Sequence, residues 1–427
     1  MRAPLRIGYE LIAQLARAAA AVTPARESKI TRALHARRGI RRRFRDWGRT
    51  HRDPARPLLW MHAPSVGEGL QARPVLELMR RHREDVQLAY THFSPSAAGF
   101  ARGLDVDFRD YLPFDTAGDA RVALDALRPN ALVFSKLDVW PVLTAEAHAR
   151  RVRVGLVSAT LSSGSSRRSA LASALLREAY AALDVVGAID DADAARLLAL
   201  GVRESAIRVT GDTRYDQVWE RARSVNLEAP RMRALRGGAH LTIVAGSTWP
   251  GDEAALLPAI AKLRSRRTDV RLVIAPHEPT PAHLAPIEAW AERERLRVAR
   301  LDAATWEHDI VLVDRVGVLG DLYALADVAF VGGGFHDAGL HSVLEPAAFG
   351  APVLFGPRYR QSRDALLLVE RGGGVSGTDA EALLASLGAW LDDDTARRAA
   401  GERARALVRS GVGAAQRSFE LVAGLID

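Results

Sequence analysis

"DVAFVGGGFHDAGLHSVLEPAAFGAPVLFGP", residues 327–357, runs from an apolar strand through a three-glycine turn and a polar loop into a helix opening at Leu344-Glu345-Pro346, then into a second apolar strand. Neither strand alternates polar with apolar residues, so each is expected to be covered on both faces, as in a parallel sheet wrapped by helices. The pattern extends outward. "LTIVAGS" (241–247), "VRLVIAP" (270–276) and "DIVLVD" (309–314) precede it with the same spacing. An earlier series repeats the plan: "PLLWMHA" (57–63), "VQLAYTHF" (86–93), "NALVFSK" (130–136), "VRVGLVSA" (152–159), "DVVGAID" (184–190) and "IRVTGD" (207–212). An α/β fold of two doubly wound parallel-sheet domains is expected.

At 427 residues the chain exceeds one ordinary core, which agrees with two domains. Strand spacing stops after Gly211 and resumes at Leu241, with Pro230 and Gly237-Gly238 between. The expected division is a basic N-terminal segment at 1–56, a first domain at 57–212, a linker at 213–238 and a second domain at 239–427, whose last helix packs back on the first domain. Ligands of open parallel sheets bind beyond the carboxyl ends of the strands. Two such domains facing each other would make a cleft lined by these motifs.

The chain has no cysteine, which excludes disulfides, thiolate metal sites and a cysteine nucleophile. Its net charge of +8 is concentrated at one end: residues 1–56 hold fifteen Lys/Arg against four Asp/Glu, or +11, leaving about −3 for the rest. Within that segment "IGYELIAQLARAAAAV" is too short and too interrupted for a membrane span. In "RALHARRGIRRRFRDWGR", Leu34, Ile40, Phe44 and Trp47 stand among arginines, as in a helix lying on an anionic membrane surface. A solvated helix and a nucleic-acid arm are the competing readings, and the absence of a recognisable nucleic-acid module weakens the last.

Four motifs carry candidate chemistry. In "WMHAPSVGE", Ser65 and Gly67 precede Glu68 in the first turn of a helix. There a carboxylate either complements the helix dipole, worth about 0.3–1 kcal/mol, or acts on a substrate. In "NALVFSKLDVWPVL", Lys136 and Asp138 follow a strand end, either as an ion pair or as charges presented to an anionic substrate. In "VAGSTWPGDE", Ser247 and Thr248 are either helix caps or part of an anion site. In 327–357, Gly333 and Gly334 allow close backbone approach, His341 and Ser342 line a polar loop, and Glu345 can accept the hydroxyls of a ribose diol.

The ordered set "HAPSVGE", "YLPFD", "LVSATLS", "GDTRYD", "AGSTWPGDE", "LGDLYALADVAFVGG" and "HSVLEPAAFGAPVLFGP" resembles the 3-deoxy-D-manno-octulosonic acid (Kdo) transferases, from about Leu58 to Gly356. That resemblance implies a GT-B fold and inverting transfer of Kdo from CMP-Kdo to a lipid A precursor in lipopolysaccharide synthesis. The expected place is the cytoplasmic face of the bacterial inner membrane, with a peripheral or monotopic anchor. It makes Glu68 the general base and places Ser247, Thr248, Gly333, Gly334, His341, Ser342 and Glu345 around the nucleotide sugar. Ser65, Gly67, Lys136, Asp138 and Arg214 are assigned to the acceptor or to an anion. No metal, cofactor or nucleic acid is expected. The chain departs from the family at Ser135-Lys136-Leu137-Asp138, where an acidic Glu-Thr-Glu is usual, at Pro276-His277-Glu278-Pro279, where Pro-Arg-His-Pro is usual, and at Gly339-Leu340-His341-Ser342, where Gly-Gly-His-Asn is usual. A GT-B enzyme using another nucleotide sugar such as a UDP-sugar, or a non-catalytic membrane-surface protein of the same fold, are the alternatives.

Overall fold

The computed structural model describes residues 3–22, 29–161, 170–238 and 240–427. Met1 and Arg2 of the basic segment, Ser162 at the end of "LVSATLS" and Ala239 at the expected start of the second domain lie outside the described residues. Two compact units are present, Met1–Gln217 with Gly413–Asp427, and Val218–Val412.

The first unit contains β1 (Leu58–His62), β2 (Gln87–His92), β3 (Phe108–Tyr111), β4 (Ala131–Ser135), β5 (Arg153–Ala159), β6 (Val185–Ala188) and β7 (Ile207–Val209). All pair in parallel, in the order β3-β2-β1-β4-β5-β6-β7. Successive residues of a strand point to opposite faces, and both faces here are buried. Leu58, Trp60, Leu132, Phe134, Val154 and Leu156 enter one core. Leu59, Met61, Ala131, Val133 and Val157 enter the other, where Val422, Leu425 and Ile426 from the chain's end join them.

The second unit contains β8 (Leu241–Thr248), β9 (Val270–Pro276), β10 (Val298–Arg300), β11 (Ile310–Leu312), β12 (Val328–Val331), β13 (Val353–Phe355) and β14 (Gly374–Ser376). These are also parallel, in the order β10-β11-β9-β8-β12-β13-β14. Strand order reverses between β1 and β4 in the first sheet and between β8 and β12 in the second. In such sheets the crevice at the reversal is where ligands bind.

Two expectations need correction. Ile40 and Phe44 do not face a surface: helix Ile40–Thr50 buries both in the first core, Phe44 meeting Phe108 edge-on at 4.7 Å between ring centroids. Its neighbouring arginines are largely occupied within the unit. Arg43 pairs with Asp110, Arg41 pairs with Asp119, and buried Arg52 donates to the carbonyls of Leu127 and Arg128. A helix with an apolar stripe among arginines serves a core as well as it serves a membrane. Secondly, the expected linker 213–238 is mostly helical, as Thr213–Ser224 and Pro230–Leu235, and the division between units falls within the first of these helices.

Candidate functional site

Register sets the first site. β1 and β4 pair with His62 opposite Phe134, so the turn after β1 and the loop after β4 leave the sheet side by side. Glu68 lies in the first turn of helix Val66–His82. Its carboxylate accepts the Ser65 hydroxyl and, at 3.1 Å, the Lys136 ammonium, while Ser135 Oγ donates to its backbone carbonyl at 3.1 Å. Burial pushes the Glu68 carboxyl up, but the Ser65 hydroxyl and the Lys136 charge outweigh it and hold the group below its ordinary value. Glu68 is therefore ionised at neutral pH and half-buried at a strand end.

Lys136 reaches Glu68 from a left-handed backbone conformation, φ 67°, which is unfavourable for a residue with a side chain. The amide of Lys136 is fixed by the Val157 carbonyl at 2.8 Å. Asp138 turns the other way: its Oδ2 meets Nε2 of buried His62 at 3.2 Å and accepts the Trp140 indole N–H at 2.9 Å. Lys136 and Asp138 are thus not an ion pair with each other. Arg214 is held by Asp212, through contacts of 2.8 and 2.6 Å to Oδ2. His62, Ser135 and Tyr90, whose buried hydroxyl has no hydrogen-bond partner among the described residues, belong to this neighbourhood and were not singled out by motif.

The second site forms where β8 and β12 lie paired, Gly246 opposite Val331. Ser247 is left-handed, φ 55°, and its carbonyl packs so closely on Gly332 that a Cβ there would stand 2.2 Å from the oxygen. Gly333 has φ 91°, and a Cβ on Gly334 would meet the Gly356 amide nitrogen at 2.4 Å, so the loop demands glycine. The hydroxyl of Thr248, expected to meet an anion, is turned inward onto Glu253 at 2.8 Å because Thr248 is a buried strand residue.

Asp252, fully buried, organises this loop. It accepts the amides of Trp249 at 2.9 Å, Gly333 at 2.7 Å and Phe335 at 3.0 Å, joining helix Pro250–Arg264 to the glycine turn. Trp249 stacks on His336 and on His277, with centroids at 4.3 and 4.7 Å, and donates its indole N–H to His341 Nε2 at 3.2 Å. Burial, with His277 and His336 close by, pushes His341 down to about 4, so it is neutral and able to accept that bond. Ser342 is exposed beside it. Glu345, in the first turn of helix Leu344–Phe349, makes no hydrogen bond to another described residue, and burial raises its carboxyl above the usual value.

Two all-parallel sheets, each reversing its strand order, define the GT-B class. The fold is shared with the UDP-GlcNAc 2-epimerase from Neisseria meningitidis bound to UDP-GlcNAc, at TM-score 0.64 and 14% identity over 86% of this chain and 100% of that one. It is shared as well with the UDP-GlcNAc 2-epimerase from Methanocaldococcus jannaschii, at TM-score 0.57 and 14% identity over 83% and 99%. Residues 37–217 match the family described as 3-Deoxy-D-manno-octulosonic-acid transferase (kdotransferase). Over 380 residues the chain is 31% identical to the 3-deoxy-D-manno-octulosonic acid transferase of Bordetella pertussis, covering 85% of this chain and 86% of that protein. The corresponding protein of Chlamydia muridarum is 28% identical over 379 residues, covering 86% and 85%. The chain belongs to the 3-deoxy-D-manno-octulosonic acid transferase family, and it is a glycosyltransferase of Kdo in lipopolysaccharide biosynthesis.

Proposed function

We propose that the chain transfers Kdo from CMP-Kdo to a hydroxyl of a lipid A precursor, with inversion, and that Glu68 is the general base. The observation that carries this reading is the position of Glu68, half-buried at the strand reversal of the first sheet with its carboxylate on Ser65 and Lys136. Glu68 takes the proton of the acceptor hydroxyl as that oxygen bonds to the anomeric carbon; the bond from that carbon to the CMP phosphate oxygen breaks and CMP departs. The nucleotide sugar is assigned to the second unit. Glu345 accepts the ribose hydroxyls, and Ser247, the Gly333-Gly334 backbone, His341 and Ser342 surround the donor. Ser65 orients Glu68, Gly67 leaves room beside it, and Asp138 and Arg214 belong to the acceptor side. Preorganised N–H groups and helix ends stabilise the leaving phosphate.

We place the reaction at the cytoplasmic face of the inner membrane, with helix Ala3–Val22 lying on the anionic surface. No described helix is long and apolar enough to cross a membrane. The exposed side chains Leu11, Ile12 and Leu15 support a surface contact.

Incubation with CMP-Kdo and a tetra-acylated lipid A precursor is expected to raise the acceptor mass in steps of one Kdo, read by mass spectrometry. An unchanged acceptor with intact CMP-Kdo would direct the assignment to another nucleotide sugar, testable with UDP-sugars in the same assay. A second expectation concerns Lys136. Lys136→Met removes a charge that favours ionised Glu68, so the base protonates at higher pH, and the acidic limb of the kcat/KM profile moves up. A limb that stays in place would separate Lys136 from the base.

A further inference from the structure

The N-terminal helix Ala3–Val22 reaches into the first unit through polar contacts far along the sequence, one of them Arg17 with Asp119 at 3.5 Å. Tyr9 donates its hydroxyl to Asp115 Oδ2 at 2.7 Å. Asp115 is buried and also accepts the amides of Val142 at 3.1 Å and Leu143 at 2.7 Å. Those amides belong to the first turn of helix Pro141–Ala149, whose own flanking residue Trp140 supplies no side-chain cap. Asp115 therefore caps that helix from a distant loop, and Tyr9 is the one described side chain that donates to it. The "YLPFD" motif ends on this aspartate.

Immediately before the capped helix lies the loop that carries Lys136 and Asp138. It is held in the middle by His62 and Trp140 on Asp138, and at its far end by Asp115. At its near end Lys136 sits in a left-handed conformation, and such a conformation persists only where the surroundings hold it. Glu68 faces Ser65 from its own turn, Lys136 from this loop and Tyr90 from β2. A shift of the loop would move Lys136, the one cation among the described residues bonded to Glu68, and leave the other two in place.

We propose that Tyr9 is a positioning residue for the reaction: by completing the Asp115 cap it fixes the loop that holds Lys136 against Glu68, so the docked N-terminal helix sets the state of the base. This rests on the reading of Glu68 as the base. The same helix turns Leu11, Ile12 and Leu15, exposed by 60%, 68% and 62%, away from the unit. One face of a single helix thus carries the link to the site, and the other carries the apolar stripe.

The test uses the full chain, CMP-Kdo and the lipid A precursor, with kcat and donor KM measured across pH for wild type, Tyr9→Phe, Lys136→Met, the double variant and Glu68→Gln. Tyr9→Phe is expected to lower kcat by about fivefold or more, to leave donor KM unchanged and to move the acidic limb to higher pH. In the Lys136→Met background the same change should add little, because both act through one contact. A Tyr9→Phe profile that superimposes on wild type, or that scales down without moving its limb, overturns the link. Equal effects of Tyr9→Phe in both backgrounds overturn it too. If Glu68→Gln keeps its turnover, the base assignment fails and takes this inference with it. An inactive Glu68→Gln beside an unaltered Tyr9→Phe overturns the Tyr9 link alone.

Discussion

Glu68→Gln is expected to lower kcat by about 10²–10⁴-fold, the range over which a positioned general base acts, with little change in the KM for CMP-Kdo. The amide keeps the shape of the side chain and an acceptor for Ser65, so the helix and its first turn survive. What it loses is the ability to take a proton. The size of the effect separates the two readings of this carboxylate. An acid that only complements a helix dipole contributes about 0.3–1 kcal/mol to stability, and its neutralisation would leave turnover within a few-fold. Steady-state kinetics on both substrates decides between them: a loss confined to kcat marks an interaction made in the transition state.

Much of the architecture was readable because buried parallel strands are apolar runs. The three strands that the sequence pattern missed lie at sheet edges. β3 (Phe108–Tyr111), β10 (Val298–Arg300) and β14 (Gly374–Ser376) each have one strand neighbour and are partly exposed, so no continuous apolar segment marks them. In the N-terminal segment, Ile40 and Phe44 were misplaced for a different reason. Ile40 and Phe44, four residues apart on one helical face, specify that something apolar covers that face; periodicity does not say whether a core or a lipid surface does. The core covers it, and the exposed apolar residues of the segment lie earlier, at Leu11, Ile12 and Leu15.

At the candidate sites, position along the chain drew attention to Glu68 and Glu345, since each lies in the first turn of a helix that follows a strand. Contacts between distant segments were out of reach. Nothing in "SKLD" distinguishes the residue that binds Glu68 from the one that binds His62, because that choice depends on the backbone turning left-handed at Lys136. Thr248 looked like a ligand hydroxyl and is spent on Glu253, five residues on.

Asp252 illustrates the same limit and carries the second large prediction. In "TWPGDE" it reads as an acid at the third helical position, an ordinary partner for the amide of the residue before the helix. In space it also accepts the amides of Gly333 and Phe335, 81 and 83 residues further on. Asp252→Ala leaves three amides without their charged acceptor. At about 1–3 kcal/mol for each buried group left unpaired, a loss of at least ~3 kcal/mol in unfolding free energy is expected, even if water recovers part of it. Since the carboxylate is buried, it would affect a donor only by fixing the glycine turn. The KM for CMP-Kdo should therefore rise by at least about tenfold, the equivalent of one lost charge-assisted hydrogen bond. Asp252→Asn, which keeps one acceptor oxygen, should fall between the two. Denaturant unfolding and donor kinetics on the three proteins form the test. An Asp252→Ala protein that is destabilised yet keeps the wild-type donor KM would show that the glycine turn does not depend on this aspartate for its binding geometry, and would move donor recognition to Glu345 and the His341 loop.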